Sequence, residues 1–243
     1  MISNIAKLLH FVNWQRDIVV TSINGQKVVI KKNKSIKSIH EHLLVFMFTF
    51  MSFILLHPTP PLKTGKLVLR NEGLSMRQAL SKIGIHTPKL IKIDQETIIE
   101  EYLEGGNLYS YLKNNDNVSI VQQVGFITRK MHDSGACFID NKAQNYLVRD
   151  SEIYRTDLGL IQNQSTEFTK SLDIGIFLAS LLDLEHEKYR KIEQYFLKGY
   201  KISPDSNNKI PHLSVIVRNI ASLVLVSDHL SLAKNLLVKS DIK

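Results

Sequence analysis

Cysteine is almost absent: Cys137 is the only one in 243 residues. That excludes an intramolecular disulfide framework and any zinc site built from several thiolates. Glycine is missing from the first 24 residues, so no glycine-rich loop opens the chain. Long apolar runs are missing too. The most apolar stretch, Leu43–Leu56, holds 14 residues and no charge. As a helix it would reach about 21 Å, short of a bilayer core of about 30 Å. The opening MISNIAKLLHFVNW is no clean signal peptide, because His10 and Asn13 break its apolar run and no small-residue cleavage site follows. A cytoplasmic protein is expected. Acidic residues are outnumbered, 23 against 31 Lys+Arg, for a net charge of +8. The excess favours polyanionic partners, whether nucleotide, RNA or an anionic membrane surface. Hydrophobic content of 44% and charged content of 22% are those of a globular protein, which excludes wholesale disorder and a polytopic membrane protein.

The pattern along the chain changes once. Residues 17–32 read as two strands around Asn24-Gly25, a dipeptide suited to a tight type I′ turn. A basic patch follows at Lys31, Lys32, Lys34 and Lys37. The apolar stretch then ends at His57-Pro58-Thr59-Pro60-Pro61, which stops helix or strand. Residues 70–83 predict a helix closed by Gly84, and two strands follow in KLIKID and TIIEEYL. Gly105-Gly106 breaks that run. Helical spacing dominates from Leu108 to Ser134 and again from Lys170 to Ile242, with short strands and loops over 136–161. The expected organisation is a strand-rich N-terminal lobe at 1–103, carrying an apolar insertion at 43–62, and a helix-rich lobe at 104–243.

The residues that carry chemistry lie in two segments. Asp140-x-Lys142-x-x-Asn145 is followed, after a short strand pair, by Asp157-Leu158-Gly159. Phosphoryl transfer needs a carboxylate to orient the attacking hydroxyl. It also needs an amide oxygen and a second carboxylate to hold Mg²⁺, and a cation on the donor phosphates. Asp140, Asn145 and Asp157 are candidates for the first three. Either segment alone would be an ordinary polar turn.

At these residues the sequence resembles the protein-kinase-like superfamily. IIEEYLEGGNLYSYL is similar to a kinase hinge, KMHDSGACFIDNKAQNYLV to a catalytic loop, and RTDLGL to the metal-binding segment. SLDIGIFLASLL is similar to the helix that anchors the catalytic loop, here through Asp173. Val28-Val29-Ile30-Lys31 matches the strand that delivers the phosphate-binding lysine. The resemblance implies an α+β, two-lobed protein-kinase-like fold and ATP with Mg²⁺ or Mn²⁺. It implies that Lys31 holds the α/β-phosphates, paired with Glu72, while Val29, on the same strand face, packs on adenine. Glu101 and Leu103 would read adenine through their backbone, and Asn107 would approach the ribose. Asp140 would orient the acceptor, Lys142 would stabilise the transferring phosphoryl group, and Asn145 and Asp157 would hold the metal. His132 reads as core support.

The departures from the pattern are specific. Phe138-Ile139-Asp140 stands where the family has His-Arg-Asp, so a phosphorylated segment has no arginine to read it. Residues 158–172, only 15, separate Asp157 from Asp173, and no Ala-Pro-Glu is present. These economies resemble the small kinase of the KEOPS complex, the tRNA threonylcarbamoyladenosine machinery, and the lipopolysaccharide-type sugar kinases. The expected activity is ATP-dependent phosphotransfer, as a Ser/Thr protein kinase or an ATPase. A pseudokinase acting as an interaction subunit and a membrane-associated lipid or sugar kinase remain alternatives. The acceptor is open: a protein, a tRNA-modification complex, or a lipid or sugar. Lys31–Lys37 offer an anionic-surface contact. For 43–56, burial in the N-terminal lobe is expected ahead of membrane contact.

Overall fold

The computed structural model describes residues 16–33, 37–201 and 210–225. The Asn24-Gly25 turn closes a hairpin of β1 (Arg16–Ile23) and β2 (Gln26–Asn33), in register from Arg16↔Asn33 to Ile23↔Gln26. Both turn residues have positive φ, 50° and 78°, as a type I′ turn requires. Three helices intervene before β3 (Leu90–Ile93) and β4 (Thr97–Glu101) complete an antiparallel sheet of order β1-β2-β4-β3. The register between β2 and β4 sets Val29 opposite Glu100 and Lys31 opposite Ile98, so these four side chains share one face.

The three helices are α1 (Lys37–Ile54), α2 (Lys66–Asn71) and α3 (Leu74–Lys82). The single helix expected over 70–83 is thus two. The break falls at Glu72-Gly73, where Gly73 is extended at φ −75°, ψ 178°. Tertiary contacts favour it: the Asn71 amide donates to the carbonyls of Gly159 and Ile161, at 2.9 and 2.8 Å. Gly84, at φ 72°, ends α3 as its position suggested.

Beyond Gly105-Gly106 the chain is mostly helical: α4 (Leu108–Asn114), α5 (Val121–Asp133), α6 (Glu167–Ala179), α7 (His186–Tyr200) and α8 (Ser214–Leu225). A hairpin of β5 (Tyr146–Arg149) and β6 (Glu152–Arg155) lies between α5 and α6. Helices α5 and α7 meet backbone to backbone. A Cβ on Gly125 would sit 2.0 Å from the Phe196 carbonyl, and one on Gly199 would sit 2.0 Å from that of Gln122. Only glycine allows that approach. The main core, with Leu108, Val124, Ile174, Phe177 and Phe196 fully buried, rests on this crossing.

The apolar insertion differs from expectation. It is not buried within the sheet-bearing region. Helix α1 begins at Lys37, and its inner face lies on the C-terminal helices. Phe48 and Leu62 form a cluster with Cys137, Ile139, Phe168, Leu172, Leu213 and Val217, and the Phe48 and Phe168 rings are 5.3 Å apart. Its outer face carries Phe46, Phe50 and Phe53, all exposed, with Phe46 stacked on Phe50. A helix turns every 3.6 residues, so an uncharged stretch still presents two faces, and one neighbour covers only one of them. Among the described residues, no helix is long and apolar enough to cross a membrane.

Candidate active site

The segment Phe138–Asn145 is held from beneath by one carboxylate. Asp173 of α6, fully buried, accepts the backbone N–H of Phe138 at 2.8 Å and of Ile139 at 2.6 Å. It also meets His132 Nε2 at 3.1 Å, while His132 Nδ1 bonds the Tyr200 hydroxyl at 2.8 Å. Ile139, a β-branched residue, is thereby fixed at φ 69°, a strained conformation. Cys137 lies close enough to His132 and Asp173 for the three to suggest a metal site. Their atoms are otherwise engaged, however. Burial pushes the Cys137 thiol well above its usual range, so it stays protonated. The group is structural, with His132 as core support.

Above this base the polar residues converge. A 3₁₀ turn, Ala143–Asn145, brings the Asn145 amide back onto Asp140, where Nδ2 donates to the backbone carbonyl and to Oδ2, both at 2.9 Å. With Nδ2 so engaged, the amide oxygen is the atom left to face a cation. Lys142 Nζ is 3.0 Å from Asp140 Oδ2. Burial would pull Lys142 down, but the charges of Asp140 and Asp157 outweigh it and hold its pKa above the ordinary lysine value. Asp157 adopts φ 57°, and the Thr156 N–H donates to the Asn145 carbonyl at 3.0 Å. The two segments therefore join into one cluster: Asp140, Lys142, Asn145 and Asp157.

Arg155 ties this cluster together and escaped the sequence reading. It is fully buried at the end of β6. It donates to the carbonyls of Asp140 at 2.9 Å and Asn145 at 3.3 Å, and its guanidinium lies 4.8 and 4.9 Å from the Phe138 and Tyr146 ring centres. The signal in the sequence was only an arginine two residues before Asp157.

The N-terminal side of the cluster holds Lys31, which is 7% exposed. The sequence reading paired Lys31 with Glu72. The carboxylate set against Lys31 in the structure is Glu100 of β4, at ion-pair contact, and Nζ also donates to Thr156 Oγ1 at 2.6 Å. Glu72 is fully buried between α2 and α3, its Oε1 near Gly159. Strand register explains Glu100, since it lies diagonally across from Lys31 on the same face. Val29 lies on that face as well. Lys32 points away and is exposed.

The candidate hinge residues lie at the end of β4 and just beyond it. Leu103 is buried, and Glu101 accepts the Lys89 N–H at 2.8 Å through its side chain. Asn107, expected on the ribose side, also caps α4: its side-chain oxygen accepts the Ser110 N–H at 2.8 Å. A Cβ on Gly105 would overlap the Val148 carbonyl at 1.6 Å, which shows how closely the hinge lies on β5.

Comparison with known proteins bears on the whole arrangement. A solved structure, "WaaP in complex with acyl carrier protein", superposes with a TM-score of 0.51 at 16% identity, covering 79% of this chain and 76% of that one. The chain has a protein-kinase-like fold. No protein-family model matches it. It is 24% identical over 148 residues to the KEOPS complex subunit Bud32 of Pyrococcus abyssi, covering 59% of this chain and 67% of that protein. It is 28% identical over 120 residues to a probable bifunctional tRNA threonylcarbamoyladenosine biosynthesis protein of Methanocaldococcus jannaschii, and there it spans only 22% of the relative's length. A probable serine/threonine-protein kinase BUD32 homolog of Archaeoglobus fulgidus is 24% identical over 122 residues.

Proposed function

We propose that this protein is an ATP-dependent phosphotransferase of the small-kinase type. The observation that carries the reading is the convergence of Asp140, Asn145 and Asp157, with Lys31 beside Thr156. The donor set is all oxygen, two carboxylates and an amide, which suits a hard divalent cation such as Mg²⁺ or Mn²⁺. Asn145 and Asp157 would hold that ion, which neutralises charge on the donor phosphates. Asp140 orients the attacking hydroxyl or water and accepts its proton. Lys142, kept protonated by its two carboxylate neighbours, lies where negative charge grows on the transferring group. Lys31 holds the α/β-phosphates. Val29 flanks the base, and the backbone of Glu101 and Leu103 reads its edge.

The names of the similar proteins favour an acceptor or partner within tRNA threonylcarbamoyladenosine synthesis, or a Ser/Thr hydroxyl of a protein. The test is ATP binding and turnover with Mg²⁺ and with Mn²⁺, for wild type and Asp157→Ala. Turnover that falls at least a hundredfold in the variant is expected, since losing charge stabilisation at a transition state typically costs about 10²–10³ in rate. Equal turnover in the two proteins would overturn the assignment. ATP binding without turnover in the wild type would favour a pseudokinase, a reading also favoured by the lack of glycine before residue 25.

A further inference from the structure

The ion pair at Lys31 belongs to a larger buried network. Glu100 divides its two oxygens: Oε1 faces Lys31 Nζ and accepts the Thr156 hydroxyl at 3.2 Å, while Oε2 meets Arg77 Nη2 at 2.9 Å. Arg77, from α3, is itself fully engaged. Its Nη1 donates to the Pro88 carbonyl and its Nε to the Glu72 carbonyl at 3.3 Å. Lys31, Arg77, Glu100 and Thr156 are each at most 8% exposed. Burial alone would push the Glu100 carboxyl up, but Lys31 and Arg77 outweigh it and hold it below the usual carboxylate range.

The two cations differ in freedom. Arg77 is fixed at three points, in a planar fork. Lys31 ends in a compact ammonium on a flexible stem, and one of its two contacts is Thr156, the neighbour of Asp157. We infer that Glu100, anchored by Arg77, is the residue that positions Lys31 for the donor phosphates. We infer further that Arg77 keeps Glu100 paired when Lys31 turns toward them. A carboxylate with one cation would be left buried and alone by that movement, at high cost. Here the second cation stays. Thr156 adds registration: the hydroxyl that Lys31 touches is one residue from the candidate metal carboxylate, so the lysine and the metal side are set by the same strand end. Glu100 touches no substrate in this scheme and acts through Lys31.

The inference rests on the ATP-site reading, and the experiment separates the two. A double-mutant cycle would compare wild type, Lys31→Met, Glu100→Gln and the pair, reading MgATP affinity, turnover and thermal stability. Wild-type ATP turnover that collapses in Asp157→Ala secures the site. Glu100→Gln should then lose turnover about a hundredfold, the scale of a misplaced reacting group. In the Lys31→Met background the same change should cost less than threefold in MgATP affinity. Independent, multiplicative effects on affinity would overturn the inference and leave the site reading intact. Absence of ATP binding in wild type would overturn both. Glu100→Asp guards against failure of the glutamine variant to fold, since it keeps the charge and shortens the reach. It should keep its fold and lose turnover at least tenfold, and full turnover in Glu100→Asp would overturn the inference.

Discussion

At the scale of single residues, neighbours in the chain are given opposite tasks. Lys31 and Lys32 are indistinguishable in composition, but strand alternation buries the first and exposes the second. Lys31→Met is expected to cut turnover by about 10²–10³, while Lys32→Ala stays within twofold. Equal and small effects would remove Lys31 from the site. Lys31 also carries structure, being buried against Glu100, so its variant should melt earlier. Arg155 makes the complementary case. It donates to the carbonyls of Asp140 and Asn145 from a fully buried position. Arg155→Leu should cost about 3 kcal/mol in urea unfolding, because two hydrogen bonds from a charged donor are lost at roughly 1.5–3 kcal/mol each, although each carbonyl keeps a second donor. Activity should fall further than stability explains, since both carbonyls belong to the loop that carries Asp140.

At the scale of elements, backbone approach and capping set the tolerances. Gly105 and Gly106 form one dipeptide with two different requirements. A side chain at Gly105 meets the Val148 carbonyl, whereas Gly106 has open space and only a positive φ of 73°. Gly106→Ala should cost about 1 kcal/mol in conformational strain, and Gly105→Ala should cost clearly more, because the hinge must move off β5. Denaturant unfolding of the two variants checks the order. Thr166 and Thr169 form a reciprocal cap at the start of α6. Thr166→Ala should lower stability by about 1 kcal/mol and leave kcat unchanged. Much of this was legible beforehand. The Asn24-Gly25 hairpin, the Gly84 stop and the paired DxKxxN and DLG segments follow from local chemistry. The break at Glu72-Gly73 was not legible, because it depends on Asn71 reaching carbonyls nearly ninety positions away. Glu100 was missed for a related reason: its partnership with Lys31 needs the β2–β4 register, which pattern alone leaves open.

At the scale of the whole molecule, helix α1 and the proline-rich turn after it link the sheet-bearing region to the C-terminal helices. Lys63 donates to the Ile161 carbonyl at 3.1 Å, Gln162 to the Pro61 carbonyl at 3.3 Å, and Phe48 lies on Phe168. The stretch after Asp157 is thus covered by the insertion on one side. On the other it meets the chain just before Phe138 through reciprocal Cys137–Gln162 backbone bonds of 2.9 Å. Sequence showed the apolar insertion but not its resting place, since nothing local says which surface a half-apolar helix will cover. The consequence is an asymmetry between its faces. Phe48→Ala removes a buried ring and should cost about 3–5 kcal/mol, while Phe53→Ser, on the exposed face, should change stability by about 0.5 kcal/mol or less. If α1 holds the segment after Asp157 in place, Phe48→Ala should also lower ATP turnover at temperatures where circular dichroism shows the variant folded, and should speed proteolysis between residues 57 and 65. Equal stability in the two phenylalanine variants would show that α1 does not rest on α6, and the insertion would then have no part in shaping the site.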